Sequence, residues 1–232
     1  MKLPEGAAFC LERLEKAGFS AYVVGGCVRD WVLGLQPHDY DICTSANPPE
    51  ICQVFSDLPL IHSGEKHGTI GVIFQNEVYE ITTFRTEGDY RDSRHPGWVK
   101  FVPQVEADLA RRDFTINAMA WSPAAGLTDP FGGQEDLQNR VLSTVGDPET
   151  RFREDALRIL RGVRFALRYG LTPRSETLQA MISLAPTLHA LARERVYAEL
   201  CQILLLAKGE DLGTFCPILT QAVPELAPMV GF

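Results

Sequence analysis

The apolar positions change their period along the chain. From residue 6 to 17 they recur at helical spacing, with Phe9, Leu11, Leu14 and Ala17 set against Glu12, Glu15 and Lys16, which predicts an amphipathic helix. "SAYVV" then reads as a short strand ending at Gly25-Gly26, and "CVRDWVLG" as a helix stopped by Gly34. "HDYDICT" predicts a second strand. "NPPEICQVF" predicts a helix capped by Asn47 with proline in its first turn. "GTIGVIF" and "VYEITTF" flank "QNE" and predict a hairpin. The stretch "RTEGDYRDSRHPGWVKF" has no apolar period and mixes glycine, proline and charge, so it reads as a mobile surface loop. From Glu106 the pattern turns mostly helical. Beyond about residue 145 it is entirely so, in "FREDALRILRGVRFALRYG", "SETLQAMISLAPTLHAL" and "RERVYAELCQILLLA". No internal repeat or low-complexity segment interrupts it. The expected fold class is α+β, a mixed-sheet domain followed by helices.

Composition narrows the class. The chain has 232 residues, 45% hydrophobic and 22% charged, enough for one large domain or two small ones. No apolar run reaches the roughly 18 residues of a membrane span. The N-terminal stretch carries acids among its apolar residues and is not a secretory signal. Six cysteines show no zinc-like spacing and read as buried or idle thiols of a reducing, cytoplasmic compartment. The net charge of −8 argues against nucleic acid as a partner. Its distribution argues less simply, because residues 151–168 hold six arginines against Glu154 and Asp155, a local net of +4. Such a stripe can hold a phosphate ligand, but alone it does not give strong RNA affinity.

Candidate chemistry concentrates in "YVVGGCVRDWVLGLQPHDYDIC", residues 22–43. Asp39 and Asp41 stand two apart in the predicted strand, so both side chains leave one face. Two carboxylates so close repel unless a cation lies between them, and hard oxygen ligands of this kind suit magnesium. The plain alternative is a solvent-facing acidic strand edge. Glu80 interrupts a strongly β-forming stretch, with Val78 and Thr82 on its face. It is either a third metal-site acid or half of an ion pair with a neighbouring arginine. Gly25 and Gly26 lie at a strand end that runs straight into a helix, with Arg29 in its first turn. That arrangement either receives an anion or is only a turn. The glycine spacing fits neither a Walker loop nor a dinucleotide fingerprint. A nucleoside triphosphate carrying magnesium would use both halves of this stretch.

These segments, with "YEITTFR", "LARRDFTINAMAW", "DPFGGQEDL" and "FREDALRILRGVRFALRYG", strongly resemble the class II tRNA nucleotidyltransferases. Those are the CCA-adding enzymes, which share the DNA polymerase beta superfamily with bacterial poly(A) polymerases. The resemblance runs in order from about residue 20 to 200, and "RERVYAEL" is similar to the family's last helical motif. It implies template-independent addition of C, C and A to the 3′ end of tRNA, with CTP and ATP as donors and Mg2+ as cofactor. By resemblance Asp39 and Asp41 hold the metal, Glu80 is the third carboxylate, and Gly26, Arg29 and Arg112 meet the nucleotide. Asp155, Arg158, Arg161 and Arg164 fall on the nucleotide-binding helix. It further implies a head domain over 1–145, a helical neck over 146–205 and the start of a helical body over 206–232, apparently truncated.

The residues bear on that implication independently. Asp155 and Arg158, three apart, are expected to share a helix face. An aspartate accepts and an arginine donates, which matches the amine and ring acceptors of both cytosine and adenine. Uracil and guanine put a carbonyl where the amine would be, and a buried mismatch of that kind discriminates well. A surface ion pair is the alternative for these two residues, and solvated side chains for Arg161 and Arg164. Arg111 and Arg112 either cap a helix C-terminus or reach a nucleotide, with Asp113 expected to cap a helix "FTINAMAW". The loop from Thr86 to Gly97, with Tyr90, Arg91, Asp92 and Arg94, matches a family element that helps the pocket change from C to A. Rival readings are a CC-only or A-only enzyme, a poly(A) polymerase, a small-molecule nucleotidyltransferase, and a nucleotide-binding module without catalysis.

Overall fold

The computed structural model describes residues 1–88, 97–207 and 209–222. The chain divides into two compact units, one built from residues 1–88 and 98–134, the other from residue 135 onward. Among the described residues no helix is long and apolar enough to cross a membrane.

The first unit is organised by a seven-stranded sheet. Its strands are β1 (Ala21–Val24), β2 (Ile42–Thr44), β3 (Leu60–Ile61), β4 (Thr69–Phe74), β5 (Glu77–Thr83), β8 (Ala120–Ser122) and β9 (Gly126–Thr128), in spatial order β3-β4-β5-β2-β1-β8-β9. The pair β2–β5 is parallel and every other neighbouring pair is antiparallel. β4 and β5 form the expected hairpin. Gln75 and Asn76 at its tip have φ of 51° and 66°, the left-handed pair that a two-residue turn needs to match strand twist. One row of partners, Ile70–Ile81–Ile42–Val23, crosses four strands and is buried throughout. Helix α1 (Glu5–Lys16) buries Ala7, Cys10, Leu11 and Leu14, and the Phe9 ring stacks on Phe74 at 4.4 Å. Helix α3 (Pro48–Val54) starts at Asn47 as expected. Asn47 accepts from the Glu50 amide and Glu50 reaches back to the Asn47 amide, a full capping box.

Three expectations for this unit are corrected. Asp39 and Asp41 precede β2 instead of lying in it. The ladder ends with Val24 N–H donating to the Asp41 carbonyl, because Gly25 N–H turns away to the Met119 carbonyl. The stretch 85–101 is not wholly a loop. Its ends pair as β6 (Arg85–Gly88) and β7 (Trp98–Phe101), while Tyr90, Arg91, Asp92 and Arg94 lie outside the described residues. "FTINAMAW" is not a helix. After α4 (Val105–Leu109) come a single 3-10 turn, Thr115–Asn117, and then β8, which pairs with β1. Helix α2 (Gly26–Val32) ends, as expected, ahead of Gly34 at φ 72°, and Trp31 leans on Trp121 of β8.

The second unit is helical but for one short parallel pair, β10 (Val141–Leu142) with β11 (Thr172–Pro173). Around the unit boundary lies α5 (Gly133–Gln138), followed by α6 (Pro148–Glu154), α7 (Leu157–Tyr169), α8 (Ser175–Leu184), α9 (Arg193–Leu206) and α10 (Cys216–Ala222). The expected single helix over 152–170 is therefore two. Asp155 between them is extended, at φ −145° and ψ 105°. Its Oδ1 accepts from the Leu157 amide, the local bond by which aspartate competes with helix. In α7 the residues Leu157, Ile159, Leu160, Val163, Phe165 and Ala166 are buried, leaving Arg158, Arg161 and Arg164 as a partly covered stripe.

Thiol chemistry tests this packing. Burial pushes the Cys10 and Cys27 thiols up to about 12, and Cys43 well above its ordinary value. Brief alkylation of the native chain at pH 8 should label exposed Cys201 first and Cys52 more slowly. Cys10, Cys27, Cys43 and Cys216 should react only on unfolding. Mass-spectrometric mapping checks this, and early modification of Cys10 would show that α1 is not packed on the sheet.

Candidate active site

Three acids line one cleft, and strand register sets two of them side by side. Ile42 lies opposite Ile81 across the parallel β2–β5 pair, so the residues one step earlier, Asp41 and Glu80, are neighbours at the strand spacing of about 4.8 Å. They leave the face opposite the buried isoleucine row. Both are exposed and, with Asp39, line a cleft of about 920 Å³ that also includes His38, Tyr40 and Glu77. Desolvation raises the Asp41 carboxyl above the usual range, the like charges of Glu80 and Asp39 add to the rise, and Arg112 opposes it. Among the described residues no three His, Cys, Asp or Glu close into a metal-binding cluster. The set is thus open and oxygen-only. That suits magnesium, which takes one or two carboxylates and completes its shell with water and phosphate.

On the other side of Asp41 and Glu80 lies a smaller cavity, about 170 Å³, lined by Arg85, Arg111 and Arg112 with Cys43, Thr69 and Thr82. Asp108 organises these arginines. It is wholly buried. Its Oδ1 accepts from the Arg85 amide at 3.2 Å and from Arg111 Nε and Nη2 at 3.0 and 2.9 Å. Its Oδ2 accepts from Arg112 Nη2 at 3.3 Å. Arg111 Nη1 also donates to Glu87 of β6 at 3.0 Å. Arg112 Nε is buried without a hydrogen-bond partner. Gly25 gives Arg112 its room: a Cβ there would come within 2.9 Å of Arg112 Nη1, and the φ of 76° is itself a glycine conformation.

Arg29 has a different environment from the one expected. It is buried, bonded through Nε and Nη2 to Asp30 Oδ1 at 2.9 and 2.8 Å, and donates Nη1 to Asn117 Oδ1 at 2.6 Å. Asn117 in turn donates to Asp113 Oδ1 at 3.1 Å, and the same oxygen accepts from the Phe114 amide. The guanidinium supports the Gly25-Gly26 turn from beneath; a Cβ on Gly26 would lie 3.5 Å from Arg29 Nη2. Asp108 and Arg85 escaped the sequence reading. Their signal was spacing: Asp108 stands three and four residues before Arg111 and Arg112, on one helical face.

In the second unit Asp155 and Arg158 do not pair with each other through their side chains. Asp155 Oδ2 accepts from Arg195 Nη2 at 3.1 Å. Arg158 Nη1 donates to Glu154 Oε2 at 2.5 Å and to the Arg151 carbonyl at 3.1 Å. Arg161 lies over the Phe165 ring at 5.4 Å. Arg164 stacks on the same ring at 4.6 Å and donates Nε to Glu199 at 2.7 Å. Four arginines of the positive stretch noted in the sequence are paired in place, Arg151 and Arg158 with Glu154, Arg153 with Glu149 and Arg164 with Glu199, while Asp155 is taken by Arg195 from outside it, so the local charge is only partly offset.

Comparison with known proteins identifies similar architectures. The model of the poly A polymerase head domain matches residues 21–143, and that described as a probable RNA and SrmB-binding site of polymerase A matches residues 170–212. The CCA-adding enzyme of Geobacillus thermodenitrificans is 45% identical over 88% of this chain and 50% of its own length. That of Staphylococcus epidermidis is 47% identical over 87% of this chain and 50% of its own. Among solved structures, the Bacillus stearothermophilus CCA-adding enzyme in complex with CTP superposes with a TM-score of 0.79 at 41% identity, over 98% of this chain and 53% of that one. A CCA-adding enzyme complex with ATP gives 0.76 at 26% identity, over 94% and 52%. The chain spans about half the length of the relatives it matches.

Two outcomes follow from the geometry. The folded state raises the Asp41 carboxyl, so it binds protons more readily than the unfolded chain, and this group's destabilising effect grows as pH rises through the carboxylate range. Asp41→Asn should therefore raise the melting temperature of the metal-free chain at neutral pH, with a smaller gain at acidic pH, while Mg2+ no longer adds stability. Asp108→Ala strands two arginines and should cost about 3–5 kcal/mol in a denaturant titration. A loss under 1 kcal/mol would contradict the Asp108 network.

Proposed function

The chain belongs to the poly A polymerase head domain family, and on that premise we propose that it is a magnesium-dependent nucleotidyltransferase extending the 3′ end of tRNA with CCA. The observation that carries the reading is the Asp41–Glu80 adjacency set by the β2–β5 register, with the arginine cavity against its flank. Identity of 45–47% to CCA-adding enzymes supports CTP and ATP as donors over ATP alone. The proposed organisation is a catalytic head over 1–145, a neck over 146–205 and the beginning of a helical body over 206–232, in a cytoplasmic enzyme.

In this reading Asp39 and Asp41 hold Mg2+, with Glu80 beside them. The ion supplies charge neutralisation at the α-phosphate and lowers the pKa of the attacking 3′ hydroxyl. The remaining steps belong to the protein. Arg112, with Arg85 and Arg111 around it, faces the leaving pyrophosphate; Arg112 Nε is an unused donor for it. Gly25 and Gly26 let the backbone approach the phosphates, and Arg29 holds that turn in shape. Asp155 accepts from the exocyclic amine of cytosine or adenine while Arg158 donates to the ring acceptors. Arg161 and Arg164 extend the same stripe toward phosphate or base. Uracil and guanine would turn a carbonyl toward Asp155, which only accepts when ionised, and are rejected.

A tRNA trimmed to its discriminator base, Mg2+ and CTP alone should give a CC end, and CTP with ATP a CCA end, on sequencing the products. Repeated A addition to unrelated RNA would favour a poly(A) polymerase instead. Binding separates chemistry from RNA grip: Mg2+-dependent CTP and ATP binding should disappear in Asp155→Ala. Failure of the unmodified chain to bind either nucleotide would overturn the proposal.

A further inference from the structure

We infer that Val78 and Ile61 form an apolar seat for the 3′-terminal nucleoside of the RNA being extended, on the far side of the acids from the arginines. The inference rests on the nucleotidyl transfer proposed above and names the place of its second substrate. Along β5 the residues Val78, Glu80 and Thr82 leave one face of the sheet, each roughly 7 Å from the next. Thr82 lines the arginine cavity and Val78 lines the larger cleft, while Asp41 and Glu80 line both. The two acids therefore stand between two compartments.

The chemistry of transfer assigns those compartments. The acceptor 3′ oxygen forms a bond to the α-phosphorus. The bond from that phosphorus to the bridging oxygen breaks, its electron pair leaves with pyrophosphate, and the hydroxyl proton passes to water. Attacking and leaving oxygens lie roughly in line. Pyrophosphate belongs with Arg85, Arg111 and Arg112, so the acceptor enters from the Val78 side. Charge agrees. The larger cleft sets Asp39, Asp41, Glu77 and Glu80 against Lys2 and His38, which does not draw a chain of phosphates. What it offers a terminal nucleoside is apolar contact. Val78 is 53% exposed and Ile61 37%. Between them lies Gly71, registered opposite Glu80 of β5 on one side and Ile61 of β3 on the other. A Cβ on Gly71 would stand 3.1 Å from Ile61 Cβ and 3.4 Å from Val78 Cγ1, so the two side chains flank bare backbone beside Glu80. An apolar floor with two β-branched walls, one strand spacing from the acid and continuous with the catalytic cleft, fits the flat face of a nucleoside.

The test follows extension of trimmed tRNA by CTP and Mg2+, on the unmodified chain and on Val78→Ser, Ile61→Ser, the double variant and Val78→Ile. The double variant should raise the KM for the acceptor about tenfold, while kcat at saturating acceptor and the affinity for Mg2+-CTP hold. Val78→Ile keeps the seat and should keep the KM; Val78→Thr, of the same shape, serves if a serine variant does not fold. An unchanged acceptor KM in the double variant would overturn the inference. So would an equal loss of Mg2+-CTP affinity, which marks damage to the sheet. A change of association state in light scattering with the acceptor KM unchanged would make the patch an interface between copies instead. A second measurement needs no turnover: tRNA ending in a photoreactive thiouridine should cross-link to peptides holding Ile61 or Val78. Cross-linking only elsewhere, or none, counts against the seat even if CTP is bound. If the unmodified chain neither extends tRNA nor binds Mg2+-CTP, the nucleotidyltransferase reading fails and takes the inference with it.

Discussion

The parallel pairing of β2 with β5 is the constraint on which the first unit depends. Opposed residues in such a pair send their side chains to the same face, so one register decides two things together. Ile42 against Ile81 continues a buried apolar row from Ile70 to Val23. The next position sets Asp41 against Glu80 on the other face. A slip of one residue would drive an acid into the core and an isoleucine into the cleft. Packing energy in the row thus holds together two carboxylates that repel, and the Asp41 carboxyl is raised chiefly by desolvation at that place, with the charge of Glu80 adding to the rise.

The cationic side of the site is held by a second buried feature. Arg85, Arg111 and Arg112 would disperse into solvent if left alone. Asp108, wholly buried, gathers Arg111 and Arg112 through Oδ1 and Oδ2 and takes the backbone amide of Arg85, tying the base of the β6–β7 hairpin to them. Gly25 keeps the space in front of Arg112 open. The acids and the arginines are therefore brought together around Asp41 by separate means, strand register for one and a buried ion network for the other.

Much of this was legible from residues alone, and the misses share a cause. The β4–β5 hairpin, the Asn47 cap and α1 follow from local chemistry and appear as expected. "FTINAMAW" was misread because Phe114, Ile116, Ala118, Met119 and Ala120 are all fully buried, and an apolar run enclosed on every side has no period to read. The β6–β7 pairing hid because its partners are ten to sixteen residues apart, with glycine, proline and charge between them. Asp39 and Asp41 were placed in β2 because nothing in "HDYDICT" reports that β1 runs out at Val24. Asp155 was read as mid-helix, although its side chain is the one most able to interrupt a helix there. What the sequence concealed were tertiary partners, Asp108 against Arg111 and Arg112, and Arg195 against Asp155.

The β2–β5 pair also bears on how the protein comes into being. Parallel neighbours cannot be joined by a tight turn, and the crossover from Thr44 to Glu77 contains α3, β3 and β4. Asp41 and Glu80 cannot become neighbours until that whole excursion has closed, an arrangement of high contact order that forms slowly. Local pieces such as the β4–β5 hairpin can assemble earlier, without bringing the two acids together. A partly folded chain therefore presents scattered carboxylates, and the Asp41–Glu80 neighbourhood arrives only with the finished sheet.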